Sequence, residues 1–162
     1  MSAGARVAVV GATGAVGRIM LEVLRSRRFA TSEIVPFASE RSAGRELPGV
    51  GVVAALREDT IAGFDLALFS AGGGTSREWA PRFAAAGAVV VDNSSAWRMD
   101  PQVPLVVSEV NPSALARIER GIVANPNCTT MVIMLPLKAL HDAFGLREIG
   151  RASCRERVYG LV

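Results

Sequence analysis

Short, uninterrupted apolar runs alternate along the chain with stretches whose apolar residues recur at helical spacing. The first run, residues 7–10, is typical of a strand buried on both faces of a parallel sheet, and residues 18–24 follow it with helical periodicity. Later strand-like segments fall at residues 32–39, 64–70 and 87–92, with a helix-like segment at 76–86. This alternation predicts an α/β fold with a Rossmann-like, doubly wound and mostly parallel sheet that binds ligands at the carboxyl ends of its strands.

A glycine-rich turn joins the first predicted strand to the first predicted helix. Residues 11–17 have the spacing Gly-x-x-Gly-x-x-Gly rather than the commoner Gly-x-Gly-x-x-Gly. With an apolar strand before it and an amphipathic helix after it, such a turn lets the backbone approach a pyrophosphate that rests on the helix N-terminus. The motif therefore predicts dinucleotide binding, and a tight structural turn is the alternative.

The turn after the second predicted strand contains residues that discriminate between dinucleotides. Pro36 cannot donate a ladder hydrogen bond, which places this strand at a sheet edge or at a bulge. Glu40 can bind the 2′-hydroxyl of NAD, whereas Arg41 with the hydroxyls of Ser39 and Ser42 can hold the 2′-phosphate of NADP. We favour NADP, and Glu40 keeps NAD as an alternative.

Two later strand ends carry further candidate residues. Ser70, Ala71 and Gly72 end one strand in a glycine-rich stretch that either lets a cofactor approach the backbone or forms a flexible turn. Asn93 and Arg98 lie in the loop after the next strand. The guanidinium of Arg98 can clamp a phosphate or a carboxylate with two parallel hydrogen bonds, although a loop arginine is usually solvated.

Cys128 stands in the sequence Asn-Pro-Asn-Cys-Thr-Thr, residues 125–130, directly before an apolar run. A cysteine that opens a helix lies among unpaired backbone N–H groups at the positive end of the macrodipole, which favours the thiolate. Cys128 is therefore a candidate nucleophile, and the alternative is a small buried hydrophobic residue at a loop-to-helix junction. His141 lies about 20 Å further along such a helix, which makes it a surface residue and not the base that serves Cys128.

Length and composition favour one compact α/β unit in a reducing compartment. The chain has 162 residues, of which 50% are hydrophobic and 6% aromatic, and its formal net charge is +3. Three arginines and one glutamate at residues 151–157 account for two of those charges, and no cationic face with interleaved aromatics is present, so we expect no nucleic-acid partner. Cys128 and Cys154 form no disulfide framework. With neither a signal peptide nor a membrane-spanning run, we expect a cytoplasmic protein without a membrane partner.

Five segments together resemble the bacterial aspartate-semialdehyde dehydrogenase family. They are residues 11–17, 39–44, 92–100, 110–112 and 125–130, and the resemblance extends from about residue 6 to residue 148. It implies NADP-dependent reductive dephosphorylation of L-4-aspartyl phosphate to L-aspartate 4-semialdehyde, on the pathway to lysine, threonine and methionine. It also implies that Cys128 is the acyl-thioester nucleophile and that Arg98 binds the substrate phosphate.

The predicted site residues follow from the motifs and from this resemblance. Cys128 is assigned as catalytic, Arg98 and Asn127 are assigned to substrate binding, and no metal ligand is assigned. The predicted cofactor-binding residues are Gly11, Thr13, Gly14, Ala15, Val16, Ser39, Arg41, Ser42, Ser70, Ala71, Gly72 and Asn93. The expected partners are small molecules, namely aspartyl phosphate, aspartate semialdehyde and phosphate.

The resemblance also implies that the chain is an amino-terminal fragment. Residues 1–127 correspond to the dinucleotide-binding domain and residues 128–148 to the nucleophile helix at the start of a truncated catalytic domain, whereas residues 149–162 resemble translated sequencing adapter. In this family the missing catalytic and dimerisation domain supplies a histidine acid/base, and the full-length parent forms a homodimer. We therefore expect the fragment to bind NADP weakly and to turn over negligibly.

Two alternative functions share part of this pattern. The first is a non-catalytic nucleotide-binding or sensor domain in which Cys128 is structural. The second is the related N-acetyl-glutamyl-phosphate reductase family, in which the nucleophile motif differs from residues 125–130 of this chain.

Overall fold

The computed structural model describes residues 4–148, in which strands and helices alternate. In chain order the elements are β1 (Ala5–Val10), α1 (Ala15–Ser26), β2 (Thr31–Ala38), β3 (Glu46–Leu47), β4 (Gly51–Val52), β5 (Ala54–Ala55), β6 (Leu66–Phe69), α2 (Gly73–Ala85), β7 (Val89–Asp92), β8 (Ile122–Ala124) and α3 (Cys128–Phe144). Short 3-10 helices at Glu40–Ser42 and Pro112–Ala116 lie in two of the connections.

Six of the strands form one parallel sheet in the order β5-β2-β1-β6-β7-β8. The chain moves outward from β1 through β2 to β5 and then returns to β6, β7 and β8 on the other side of β1. The remaining strands, β3 and β4, form a separate antiparallel pair. The predicted doubly wound α/β class is confirmed, and the strand order reverses between β1 and β6, where sheets of this kind bind ligands.

Alternate residues of β1 enter two hydrophobic cores on opposite faces of the sheet. Val7 and Val9 share one core with Leu21 of α1, whereas Val10 shares the other with Phe83 of α2. The Phe83 ring lies at the centre of the second core, with the centroids of three other phenylalanine rings 5.4, 5.7 and 5.9 Å away. The two helices therefore cover opposite faces, and because each follows the carboxyl end of a neighbouring strand, both begin at the same edge of the sheet.

The second strand lacks a neighbour along most of one side, as its proline predicts. β2 pairs with β1 over its length, but β5 pairs only with Phe37 and Ala38. Pro36 is in register with Val9 of β1 and lies where the other side of β2 is open. A residue without an N–H group is tolerated at such an edge position because it interrupts no central ladder.

Helix α2 begins at Gly73 and not at residue 76, so the predicted start was three residues late. The glycine-rich stretch after β6 contains the N-cap residue, Gly72, and the first two helical residues. The low helix propensity of glycine concealed this start. The φ angle of +84° at Gly72, which favours glycine, lets the chain turn from β6 directly into the helix.

Helix α3 follows the edge strand β8, and no other part of residues 4–148 buries it. None of its residues is buried, and Val132 and Phe144 are 77% and 81% exposed. Its first residue coincides with the domain boundary predicted at residue 128, although the assignment of this helix to a truncated catalytic domain stays a prediction. The predicted non-native tail, residues 149–162 with Cys154, lies outside the described residues.

Candidate active site

The turn between β1 and α1 brings the ends of β1, β2 and β6 close together. Gly11 has a φ angle of +90°, and a Cβ atom added to it would lie 2.4 Å from the carbonyl oxygen of Ser70. The amides of Gly11 and Ala12 both donate to the carbonyl of Phe37, at 2.9 and 3.0 Å. Position 11 therefore requires glycine, because both the backbone conformation and the neighbouring strand exclude a side chain.

Helix α1 starts from this turn with its first amides open. Gly14 is the N-cap residue, no side chain caps the helix, and its first turn contains no acidic residue. The amides of residues 15–17 have no intrahelical acceptor, as in every helix N-terminus, and they lie at the positive end of the macrodipole. Arg18 donates from Nε and Nη2 to the carbonyl oxygen of Thr13, at 3.2 and 3.1 Å. This contact fixes that carbonyl while the amides stay available to an anion.

Helix α2 presents a second open N-terminus at the same sheet edge. Gly72 caps it without a side-chain hydrogen bond, and its first turn also lacks an acidic residue. A Cβ atom at Gly72 would meet no atom within 4 Å, so the left-handed backbone rather than space requires glycine there. The N-termini of α1 and α2 follow the adjacent strands β1 and β6, and together they favour the binding of phosphate groups at this end of the sheet.

A cleft of about 570 Å³ lies over the ends of β1, β2 and β6. The predicted cofactor residues that line it are Gly11, Thr13, Gly14, Ser39, Ser70 and Ala71. The predicted cofactor residues that lie outside its lining are Ala15, Val16, Arg41, Ser42, Gly72 and Asn93. The structure therefore brings half of the predicted cofactor set into one cavity at the point where the strand order reverses.

Glu40 and Arg41, the two residues predicted to distinguish NADP from NAD, lie on a single short turn. In the 3-10 helix Glu40–Ser42 the amide of Ser42 donates to the carbonyl of Ser39 at 2.8 Å. Glu40 lines the cleft, and Arg41 next to it is exposed to solvent. An acidic group and a guanidinium thus stand side by side at the end of β2, where the adenosine ribose of a dinucleotide binds in this fold.

Arg98 lies across the ends of β7 and β8. Its Nε donates to the carbonyl of Asn125 at 2.9 Å and its Nη2 donates to the carbonyl of Asn93 at 3.1 Å. The side chains of the two asparagines are also joined, Nδ2 of Asn125 donating to Oδ1 of Asn93 at 2.8 Å. Arg98 is half-buried and held in one orientation, so it is not the freely solvated loop arginine that the sequence left open. The N–H groups of Arg98 that do not bind these two carbonyls can donate hydrogen bonds to an oxyanion.

A buried carboxylate supports the loop that carries Arg98. Asp92, the last residue of β7, is fully buried, and its Oδ2 accepts a hydrogen bond from Ser94 Oγ at 2.6 Å. Ser94 Oγ in turn accepts from the amide of Ala96 at 3.1 Å. Trp97 Nε1 donates to Ser76 Oγ of α2 at 2.9 Å, which ties the same loop to that helix. These contacts explain why a loop can hold Arg98 in place.

Cys128 is the first residue of α3 and is exposed to solvent. The N-cap residue Asn127 accepts a hydrogen bond at Oδ1 from the amide of Thr129 at 3.0 Å, and the same oxygen lies 4.0 Å from the sulfur of Cys128. The alternative of a small buried hydrophobic residue is therefore wrong. Asn127, which was predicted to bind substrate, has its side-chain oxygen engaged in capping the helix, and its side-chain NH₂ group remains for any such role.

His141 lies in the last turn of α3, whereas Cys128 opens the same helix. The helical rise puts these two residues about 20 Å apart. His141 is exposed, and it is the one histidine of the chain. The predicted surface position of His141 is confirmed, and its lack of a role as a base for Cys128 stays a prediction.

Cys128 and the glycine turn lie at the same end of the sheet but not in one cavity. Cys128 follows β8, which is three strands from β1 in the sheet, a distance of about 14 Å at the usual strand spacing. The Asn93 and Arg98 loop after β7 lies between them. Along this end of the sheet the cleft comes first, the loop that contains Arg98 comes next, and the exposed thiol of Cys128 comes last.

Sequence reasoning did not assign several residues that complete this edge. Leu56, Thr75 and Trp79 line the cleft, and Asn125 links Arg98 to Asn93. Thr75 and Trp79 are four residues apart on a helix that follows a strand end, a spacing that identifies one helix face. Leu56 follows a strand of two residues, and no periodicity marks it.

Within residues 4–148, no helix is long and apolar enough to cross a membrane. The same part of the chain contains no group of three or more His, Cys, Asp or Glu side chains arranged to hold a metal ion.

The fold and the cleft define a dinucleotide-binding α/β domain with a candidate nucleophile on the helix that follows it. Residues 6–118, more than half of the chain, match the family described as "Semialdehyde dehydrogenase, NAD binding domain". The chain therefore belongs to the semialdehyde dehydrogenase family, and it corresponds to the amino-terminal portion of the aspartate-semialdehyde dehydrogenases.

Three similar proteins illustrate how much of such an enzyme this chain covers. The aspartate-semialdehyde dehydrogenase of Aquifex aeolicus (strain VF5) is 54% identical over 151 residues, which cover 90% of this chain and 44% of the relative. The crystal structure of aspartate semialdehyde dehydrogenase II complexed with ASA from Vibrio cholerae is 48% identical, with a TM-score of 0.83 and coverage of 88% of this chain and 48% of that one. The Candida albicans enzyme, crystallised with NADP, is 26% identical with a TM-score of 0.73, and the match covers 88% of this chain and 48% of that one. The chain thus spans less than half the length of these relatives.

Proposed function

We propose that the cleft binds NADP and that Cys128 is the nucleophile for the reductive dephosphorylation of L-4-aspartyl phosphate to L-aspartate 4-semialdehyde. The observation that carries the proposal is the geometry around Arg98, which is fixed across the ends of β7 and β8, between the cleft and the exposed thiol. One relative crystallised with aspartate semialdehyde and another crystallised with NADP support the choice of ligands. The activity is proposed for the longer protein that these relatives represent.

The residues of the cleft fit a dinucleotide. A Cβ atom at Gly17 would lie 2.2 Å from the carbonyl oxygen of Gly11, so α1 packs directly on the turn that lines the cleft, and its open amides begin beside that turn. The pyrophosphate would rest on these amides and on those after Gly72. Arg41 with the neighbouring serine hydroxyls would hold the 2′-phosphate, since a guanidinium and hydroxyl groups are suited to that anion.

The first chemical step needs only the residues near α3. The thiolate of Cys128 attacks the acyl carbon, a carbon–sulfur bond forms, and the carbon–oxygen bond to the phosphate breaks, so that inorganic phosphate leaves with both bonding electrons. Arg98 binds the phosphate before and after it departs. Amides at the start of α3 stabilise the oxyanion at the acyl carbon.

The second step reduces the thioester on Cys128. When bound, NADPH supplies the hydride for this reduction. Breakage of the carbon–sulfur bond then releases the aldehyde and returns the electron pair to the sulfur of Cys128. Arginine does not carry protons at neutral pH, and His141 is about 20 Å away, so the acid/base group is not a histidine of this chain. We therefore expect this chain by itself to be acylated but to turn over negligibly.

Titration of the purified chain with NADP and NAD tests the nucleotide part of the proposal. We expect NADP to bind more tightly, and replacement of Arg41 by alanine to weaken NADP binding about tenfold while NAD binding stays unchanged, since one charged hydrogen-bond partner is lost. Isothermal titration calorimetry measures both affinities. Arg45→Ala is the matched control, because Arg45 lines a different groove and carries the same charge. Equal affinities of the wild-type chain for NAD and NADP would overturn the preference for NADP, and an unchanged NADP affinity in Arg41→Ala would remove Arg41 from the 2′-phosphate site.

Replacement of Arg98 by lysine tests the phosphate-binding role. Lysine keeps the charge but cannot donate to two carbonyls and hold an oxyanion in a planar fork, so acylation of Cys128 by aspartyl phosphate should slow on the order of a hundredfold. The rate of acylation is measured by intact mass spectrometry. Alkylation by iodoacetamide, which carries no phosphate, should keep its wild-type rate. A parallel loss of both reactions would mean that Arg98 only maintains the start of α3.

A further inference from the structure

Trp79 forms part of the cleft wall at the end away from the nucleophile. It lies on α2 and is half-buried, and the cleft surface also includes Leu56, which follows the outermost strand β5. In the sheet order, β5 is the outermost strand on one side, and β8, with Cys128 after it, is the outermost strand on the other side. Leu56 therefore lies beyond the β2 turn, and Trp79 lines the same cleft from α2, which the Arg82–Glu58 ion pair joins to the segment after β5.

The indole of Trp79 packs against the guanidinium of Arg82. The guanidinium carbon of Arg82 lies 4.6 Å from the centre of the ring system and covers one of its faces. Arg82 is held in turn by Glu58, with 2.9 Å between Nη1 and Oε1, and by Glu78 at 3.8 Å. Because Glu58 belongs to the connection after β5, this ion pair joins α2 to the segment that carries Leu56. A ring immobilised in this way loses little entropy when a ligand packs against it.

The order of groups along the cleft determines which part of a dinucleotide meets this wall. The glycine turn and the two helix N-termini attract the pyrophosphate, and Ser39 and Glu40 at the end of β2 meet the adenosine ribose. The base attached to that ribose must extend further from Cys128. It then reaches a flat, apolar surface of aromatic and aliphatic carbon, which suits a purine ring.

We propose that Trp79 packs against the adenine ring of the bound nucleotide, and that it makes the cleft specific for adenine dinucleotides. The proposal rests on the proposed binding of NADP and adds the residue that recognises its base. Arg82 and Glu58 act through Trp79 as positioning residues.

The test compares Trp79→Ala and Trp79→Phe with the wild-type chain. Alanine should weaken the binding of both NADP and 2′,5′-ADP, which contains only the adenosine half, by about tenfold, whereas phenylalanine should retain nearly wild-type affinity because it keeps an aromatic face. Calorimetry gives the affinities. The matched control is Phe29→Ala, which removes a 47% exposed aromatic ring outside the cleft and should change neither affinity.

Tryptophan fluorescence provides a readout that needs no alanine variant. In the wild-type chain 2′,5′-ADP should quench the emission and nicotinamide mononucleotide should not, and Trp79→Phe should abolish the quenching. Unchanged affinities in Trp79→Ala, or quenching that survives in Trp79→Phe, would overturn the role of Trp79 while leaving NADP binding intact. Failure of the wild-type chain to bind NADP at all would overturn both proposals.

Discussion

Replacement of Cys128 by alanine should abolish the proposed covalent acylation of this chain by L-4-aspartyl phosphate, lowering its rate by at least on the order of a thousandfold. The sulfur is exposed at the first position of α3, and its removal leaves only weakly nucleophilic hydroxyls nearby, those of Thr129 and Thr130. Intact mass spectrometry after incubation with the acyl phosphate measures the effect. The wild-type chain should gain one acyl group, and the alanine variant should gain none.

The second cysteine of the chain gives a matched control for this experiment. Cys154→Ser should be acylated at the wild-type rate, since Cys154 is outside the region that resembles a semialdehyde dehydrogenase. Cys128→Ser should react far more slowly than the wild type because an unactivated hydroxyl is a much weaker nucleophile than a thiolate. An adduct that persists in Cys128→Ala would remove this residue from the mechanism, whatever the nucleotide cleft does.

The main strands could be predicted from the sequence because each contains a short apolar run. β1 is mostly buried, β6 and β7 are apolar apart from Asp92, and β2 is apolar and more buried from residue 34 onward, which leaves a clear apolar pattern. β3, β4 and β5 have two residues each and β8 has three, which is too short to show any periodicity. Their pairing depends on contacts between distant segments, and a single sequence does not display those contacts.

Parts of the candidate site could be predicted from the sequence because the backbone conformation there restricts the residue type. Gly11 and Gly72 adopt positive φ angles, and Cys128 follows its N-cap residue, so glycine and capping residues marked these positions. The orientation of Arg98 was not predictable, because it depends on carbonyl groups from two different strand ends. Trp79 was also missed, since its spacing from Thr75 identifies a helix face but does not show whether that face lines a cleft or packs in the core.

The open amides of α1 and α2 and the thiol of Cys128 lie at the same end of the sheet for a topological reason. In a parallel sheet every strand ends at the same edge, so the loops after β1, β6, β7 and β8 meet there although they are far apart in sequence. Helices α1, α2 and α3 each begin at this edge with the positive end of the macrodipole. The proposed substrate and the proposed cofactor both carry phosphate, and both would therefore bind at the same row of loops.

Replacement of Gly17 by alanine should disrupt both the stability of the domain and its nucleotide cleft. The new Cβ atom would lie 2.2 Å from the carbonyl oxygen of Gly11 and 2.8 Å from Cα of Ala12, and both are backbone atoms that cannot rotate away. Alanine favours the helix by about 1 kcal/mol over glycine, but relief of this overlap requires α1 to move outward, at a cost of roughly 1–3 kcal/mol or more. We expect a net loss of stability in thermal unfolding.

The same movement should weaken NADP binding on the order of a hundredfold, because two amide-to-phosphate hydrogen bonds at the start of α1 would lose their geometry. Glu22→Ala is the control, since Glu22 is an exposed residue of the same helix and lies outside the lining of the nucleotide cleft. That variant should change stability by no more than about 0.5 kcal/mol and leave NADP affinity unchanged. Calorimetric titration separates the two effects. Wild-type NADP affinity in Gly17→Ala would show that the pyrophosphate does not rest on α1, even if the domain were destabilised as expected.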